Sequence, residues 1–193
     1  MPKPLFLLAA LMLAAPLAAQ DTLRDGDAAR LAGFEASAGR AVLRALADGA
    51  PDDVAALTRA LSGTPGIAFD ETLAGDWTCR TIKLGGAAAL IVYSPFRCRI
   101  TAGDTGFDLV KLTGSQLTRG TIGLRDGRAI YTGVGYVSEA DPPAYADLPA
   151  DFRSDGRVQA QVAVFERVSP TRARLMFPAP AVESDFDILE LTR

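Results

Sequence analysis

Hydrophobic and polar positions divide the chain into three stretches of different period. The first is a continuous apolar run from Leu5 to Leu17, opened by Lys3 and closed by the small residues Ala18 and Ala19. A basic start, a short apolar middle and a small-residue end predict a cleaved secretory signal over residues 1–19, cut near Ala19. At about 13 residues the run is shorter than the roughly 20 that a membrane-spanning helix needs. The other origin of such a run is a buried core helix. Its start at Met1 and the lack of any polar interruption favour the signal. No Cys sits just after the run, so a lipid anchor is not expected.

The second stretch has the helical period. Asp25 or Asp27 is placed to cap a helix, and Leu31, Phe34, Ala38, Val42 and Leu46 recur at steps of three and four on one face. Gly49 ends this run. Pro51 suits a first helical position, and Asp52 and Asp53 suit the positive end of a helix. Val54, Leu57 and Leu61 form a second apolar stripe, stopped by Gly63. Residues 27–62 are therefore predicted to form two helices, a hairpin that needs a surface to pack on.

Beyond Pro65 the period falls to two. Strands are predicted over 77–84, 89–100, 107–113, 120–124, 128–137, 157–168, 172–177 and 185–192. Pro95 requires a bulge or an edge position in the second of them. Asp126-Gly127 between two alternating runs marks a hairpin. If Cys79 faces Cys98, the midpoint of the first pair falls at Ala88 and Ala89, about three residues past Gly85-Gly86, which calls for a bulge or a longer loop. Residues 138–156 are rich in acids and proline and read as a long irregular loop. Eight strands with short connections and no intervening helix predict an antiparallel up-and-down barrel, closed or nearly so. The fold class is thus mainly β (α+β). A helical hairpin over 20–63 precedes a barrel over 74–193, within one domain of residues 20–193. That length is enough for one well-buried core.

Composition narrows the partners. The chain is 49% hydrophobic and 22% charged, ordinary globular usage. Its net charge is −3, and loss of Lys3 with the signal makes it −4. The charges are interspersed with no basic stripe, so nucleic acid is not an expected partner. No second apolar run reaches spanning length, so the mature chain is not expected to be an integral membrane protein. Cys79 and Cys98 are the only cysteines. In an exported chain an isolated pair reads as a disulfide, contributing on the order of 3 kcal/mol. A redox or zinc role fits less well, because the spacing is not C-x-x-C and two thiols without His make a poor zinc site.

The chain has no His. Ser-His-Asp and Cys-His catalysis are removed, with nearly all His-based metal sites, and no cofactor or metal is expected. Four groupings remain. Lys111 with Ser115 would make a Ser-Lys dyad if the lysine were buried and neutral, but Thr113-Gly114-Ser115 reads more simply as a turn. Glu166, Asp187 and Glu190 are carboxylates for a hydrolytic pair, although strand charges usually form a solvated face. Arg80, Lys83, Arg97 and Arg99 with Tyr93 would suit an anionic group, or simply protect a sheet edge. Arg80 and Lys83 fall on opposite strand faces. Tyr131, Tyr136 and Tyr145, with Pro142 and Pro143, would build a recognition surface or pack a loop. Trp77 is read as core.

The candidate binding set is therefore Arg80, Lys83, Tyr93, Arg97, Lys111, Ser115, Gln116, Tyr131, Tyr136 and Tyr145. The expected role is non-catalytic binding of a small ligand inside the barrel. Gly120, Gly123, Gly133, Gly135, Ala160 and Ala163 would leave room for it, or would let the helices lie close. The alternative partner is an envelope protein, with protease inhibition as one form, contacting the 138–156 loop or the helices. An enzyme using Lys111 and Ser115 or a carboxylate pair ranks last.

Several motifs carry a resemblance. They are Gly75-Asp76-Trp77-Thr78-Cys79-Arg80, Ile82-Lys83-Leu84-Gly85, Tyr93-Ser94-Pro95-Phe96-Arg97-Cys98, Lys111-Leu112-Thr113-Gly114-Ser115-Gln116, Tyr131 with Gly133, and Pro143-Ala144-Tyr145. With them the chain resembles an uncharacterised family of exported bacterial proteins, domain of unknown function 4893, over most of its length. The resemblance implies a periplasmic protein with paired cysteines and supplies no activity. Gly75-Asp76-Trp77 also resembles the opening strand of lipocalin-like barrels and of small barrel inhibitors of bacterial metalloproteases. That implies a lipocalin-like barrel, from which the preceding helical hairpin departs.

Overall fold

The computed structural model describes residues 23–66 and 69–193. The expected signal over 1–19 lies outside the described residues. The period-two region folds into β1 (Gly75–Leu84), β2 (Leu90–Val92), β3 (Phe96–Gly103), β4 (Gly106–Lys111), β5 (Gln116–Arg125), β6 (Arg128–Val137), β7 (Val158–Ser169), β8 (Arg172–Pro178) and β9 (Phe186–Thr192). From β3 to β9 each strand pairs antiparallel with the next in the chain. β1 then pairs with β9, from Thr78↔Thr192 to Leu84↔Phe186, and closes the sheet. β2 and β3 share one side of β1, β2 against Ile82–Leu84 and β3 against Gly75–Cys79. The result is a closed eight-strand antiparallel barrel plus the short strand β2.

Pro95 splits the second predicted strand. Between the two registers, Arg80 and Thr81 oppose three residues, Tyr93, Ser94 and Pro95. An extra residue at a position without a backbone N–H is a bulge. The register also corrects the expected cysteine pairing. Cys79 pairs with Phe96 and Cys98 with Trp77, so the two cysteines are diagonal neighbours rather than opposite ones. They still form the disulfide, with Cα atoms 5.8 Å apart. Replacing both by Ala is expected to lower the guanidinium-unfolding stability by about 3 kcal/mol. An unchanged midpoint would contradict this.

Inward positions of the strands fill most of the barrel with a continuous apolar core that includes Trp77, Cys79, Ile100, Leu109, Tyr131, Phe165 and Leu191. A one-turn 3₁₀ helix, Glu71–Leu73, plugs one end. There Leu73 is fully buried and its carbonyl accepts a 3.0 Å hydrogen bond from the Trp77 indole. Phe69 packs edgewise on Phe107 and Phe165 beside it.

The helical stretch departs from the predicted hairpin by forming three helices: α1 (Asp25–Ala32), α2 (Phe34–Asp48) and α3 (Pro51–Leu61). Gly33, a poor helix former, breaks the first run. The break lets α1 lie on β7 while α2 crosses β1, β8 and β9. Neither Asp25 nor Asp27 caps α1; Arg24 holds the cap position, and its side chain makes no capping bond. Asp27 is instead buried and accepts a 2.5 Å hydrogen bond from the Tyr145 hydroxyl. The buried face of α2 is also rotated from the expected one. Ser37, Ala41 and Ala45 face inward, whereas Leu46, expected to be buried, is half exposed beside the more exposed Leu43. Small side chains let the helix lie close to an outer barrel surface made by Ile82, Leu84, Val164, Met176 and Ile188.

The 138–156 loop is held against α1. The Arg24 guanidinium donates to the carbonyls of Leu148, Ala150 and Phe152 at 3.0–3.4 Å. Among the described residues no helix is long and apolar enough to cross a membrane.

Candidate functional site

The barrel end opposite the plug is polar. The inward parity that places Trp77 and Cys79 in the core continues up β1 to Thr81 and Lys83. On the other strands it delivers Lys111, Gln116, Thr118, Gln161 and Asp187 to the same cavity. The cavity measures about 80 Å³. That is room for a few water molecules or one small polar group. An outer vestibule of about 180 Å³ shares Thr81, Lys83, Lys111 and Gln116 with it and adds Tyr93, Ser115 and Glu183.

Tyr131 lies in the apolar core behind the cavity-lining Thr118. A Cβ at Gly133 would meet its hydroxyl oxygen at 2.2 Å, and one at Gly120 would meet its ring at 2.8 Å. The room left by these two glycines is therefore filled by the Tyr131 ring, neither by a ligand nor by the helices. The Tyr131 oxygen lies 2.6 Å from the Thr118 hydroxyl, which donates to the Gln161 amide oxygen, also at 2.6 Å. With that proton committed to Gln161, the Tyr131 hydroxyl is the donor to Thr118. Burial pushes the Tyr131 phenol well above its ordinary pKa. A Cβ at Gly135 would strike the Gln161 side chain at 2.4 Å, so glycine is needed there to seat it.

Two lysines form the wall. Lys83 and Lys111 are 7% and 6% exposed. Lys83 Nζ donates to Gln116 Oε1 at 3.1 Å and pairs with Glu183. The Tyr93 ring stands 5.9 Å from the same Nζ. Lys111 Nζ donates to the Gln116 main-chain carbonyl at 2.6 Å and sits 3.8 Å over the centre of the Phe96 ring. Burial, and then the nearby Lys83, lower the Lys111 ammonium to about 8. Asp187 faces Lys83 across the β1–β9 pair. Its carboxyl borders the cavity yet lies deep among protein atoms. Burial raises it to about 6 against the opposing pull of a 2.6 Å Ser184 hydrogen bond and of Lys83.

Both shifts oppose folding at neutral pH. The Asp187 carboxyl binds its proton more tightly in the folded chain, so stability falls as pH rises from 3.8 to about 6. Lys111 binds its proton less tightly when folded, so the stability it removes returns only as pH rises from about 8 towards 10.5. Asp187→Asn keeps an acceptor for Ser184 and removes the charge. It is expected to raise stability at pH 7.5 by about 2 kcal/mol, with the gain vanishing below pH 4 in urea titrations. An equal gain at both pH values would contradict burial as its cause.

Of the residues expected from sequence, Lys83, Tyr93, Lys111, Ser115 and Gln116 meet at this end of the barrel, and Tyr131 lies one hydrogen bond away, behind Thr118. The others point elsewhere. Arg80 faces outward and bonds Glu190 at 2.6 Å. Arg97 lies on the outer surface near Trp77 and Arg193. Tyr136 borders the cavity, but its ring packs outside, 5.4 Å from the Arg119 guanidinium, and Tyr145 is buried under α1. The carboxylates do not assemble into a pair: Glu166 and Glu190 bond Arg174 and Arg80 on the outer face, while Asp187 points inward. Lys111 is engaged by the Gln116 carbonyl rather than held against Ser115. Thr118, Gln161 and Glu183 were missed. The fifth strand begins at Gln116, not 120, and its first residues carry the polar inward positions.

A family profile, Domain of unknown function (DUF4893), matches residues 20–191. The chain belongs to this family. Neither the curated proteins nor the solved structures include a match to this chain. For this DUF4893 chain the site is therefore read from its own geometry. Among the described residues no group of three or more His, Cys, Asp or Glu is placed to hold a metal ion.

Proposed function

We propose that this protein is exported to the periplasm and serves there as a non-catalytic binding module, holding a small anionic ligand in the polar end of its barrel. The observation that carries the reading is the convergence of Lys83 and Lys111, both nearly buried, on one cavity with Gln116 between them. Burying two like charges together costs stability, and such groups collect where function requires them. A concave site with a few convergent polar groups above an apolar floor is the usual form of a small-ligand pocket.

The test is thermal unfolding with a panel of small organic acids, their neutral amides and matched amines. The acids alone are expected to raise the Tm, and Lys111→Met is expected to abolish the rise. Stabilisation by amides or amines alone, or by none of the panel, would contradict the reading. Export predicts that the protein recovered from a periplasmic fraction begins near Gln20. A cytoplasmic protein retaining Met1 would overturn that part.

A second reading has one observation in its favour. Leu43 and Leu46, 70% and 50% exposed on α2, offer an apolar strip to an envelope protein. As an inhibitor, the purified domain would slow a secreted protease. A panel of such proteases left at full rate would count against it.

A further inference from the structure

The carboxylate of Glu183 already sits on the lysine wall. Gln116 Nε2 donates to both of its oxygens, at 3.1 and 3.3 Å, and Lys83 Nζ pairs with one of them. Lys83 and Gln116 thus present an ammonium and an amide N–H to a single carboxylate group, a planar recognition of the kind a carboxylate ligand needs. The group that fills the place comes from the chain's own β8–β9 loop, and its side chain is half exposed while that of Lys83 is 9% exposed. The carboxylate therefore stands on the solvent side of the lysine, where an incoming ligand would arrive.

The loop is built to hold this posture under tension. Ala179 near its start and Glu183 near its end both have left-handed backbone, with φ of 43° and 73°. Non-glycine residues rarely adopt it, and such outliers gather at ligand clamps and switch segments. Between them Pro180, Ala181 and Val182 wall the inner cavity, and Glu183 borders the vestibule. The same loop therefore separates two spaces that share Lys83, Lys111 and Gln116. Charge agrees with this arrangement. With Glu183 in place, the cations Lys83 and Lys111 face the anions Glu183 and Asp187. With Glu183 withdrawn, one positive charge is left over, which one monocarboxylate would balance.

We propose that Glu183 is a built-in stand-in for the ligand: its carboxylate occupies the subsite that Lys83 and Gln116 form for a small monocarboxylate, and its loop swings out when that ligand enters. The proposal rests on the small-anion reading and narrows it to carboxylates. It makes the free protein self-occupied, so the apparent affinity is lowered by the fraction of molecules with the loop closed.

The test is an NMR titration of sodium acetate into wild type, Glu183→Ala and Glu183→Gly, with sodium chloride at matched ionic strength as control. The side-chain amide of Gln116 is the reporter. The glycine variant suits the left-handed backbone, so a folded apo loop is available even where alanine disturbs it. Both variants are expected to bind acetate at least tenfold more tightly than wild type. Saturation should return the Gln116 amide to its wild-type position, because one carboxylate has replaced another, and chloride should not. Equal acetate affinity in wild type and variants would overturn the stand-in while leaving the pocket reading in place. No acetate binding by any of the three would overturn both.

Discussion

Gly133→Val is expected to prevent the barrel from folding, or to cost at least about 3 kcal/mol in a urea titration followed by the fluorescence of Trp77, the single tryptophan. A Cβ at this position would lie 2.2 Å from the Tyr131 hydroxyl oxygen and 2.5 Å from the carbonyl oxygen of Arg119. Neither neighbour has anywhere to go. Tyr131 is fully buried, edge-on to Phe177 at 5.8 Å, with its hydroxyl committed to Thr118. Arg119 belongs to the β5–β6 ladder, in which Gly133 pairs directly with Gly120. The ring is the softer obstacle of the two. Tyr131→Ala combined with Gly133→Val should therefore be more stable than Gly133→Val alone, a coupling that independent sites do not show. Additive losses would mean that the ring does not occupy the space above the glycines.

Arg174→Ala is expected to cost about 3–5 kcal/mol and to loosen α3 before the barrel. The guanidinium is buried and donates to the carbonyls of Leu61 at 2.7 Å, Ala60 at 3.2 Å and Ser62 at 3.3 Å, and to Glu166 at 2.7 Å. The carbonyls closing a helix have no partner within it, and a cation there also meets the negative end of the helix dipole. Removing the side chain strands those carbonyls and leaves the Glu166 carboxylate without its cation. Arg174→Lys keeps the charge but not the fork of donors, so it should fall between alanine and wild type. Hydrogen exchange reads the order of events. Amides of α3 should lose protection while those of β7 and β8 keep theirs. Uniform loss would mean that Arg174 stabilises the barrel rather than docking the helix.

Much of the fold was legible in the sequence because a half-buried strand prints its two faces directly. All eight predicted strands are present, and the break at Pro95 followed from its missing N–H. The cysteine register was missed by one diagonal: a disulfide does not require its cysteines to be directly opposite, and here Cys79 pairs with Phe96 and Cys98 with Trp77. The helical end was read less well. Leu46 was assigned to the buried face because large apolar residues usually go inward. Here close approach to the barrel selects Ala41 and Ala45 instead. Gly33 was read through as helix because the apolar period continues across it.

The site was half legible. Lys83, Lys111 and Gln116 stood out as charged or polar residues within motif-rich strands, and parity placed Lys83 and Arg80 on opposite faces. Parity alone could not choose which face was interior, so Arg80 and Arg97 remained beside Lys83 until closure of the sheet fixed it. Thr118 and Gln161 are ordinary polar residues on strands and carry no local signal. Glu183 was hidden for a different reason. It reaches Lys83 across 100 residues of sequence, from a loop whose path depends on the β8–β9 pairing.

The central claim is that the lysine-lined end of the barrel holds a small acid. Native mass spectrometry on protein isolated from its own cells tests it most directly, comparing wild type with Lys83→Met/Lys111→Met. The account predicts a discrete added mass of an organic acid on wild type, absent from the double variant. No added mass on wild type, or the same mass carried equally by both proteins, would contradict it.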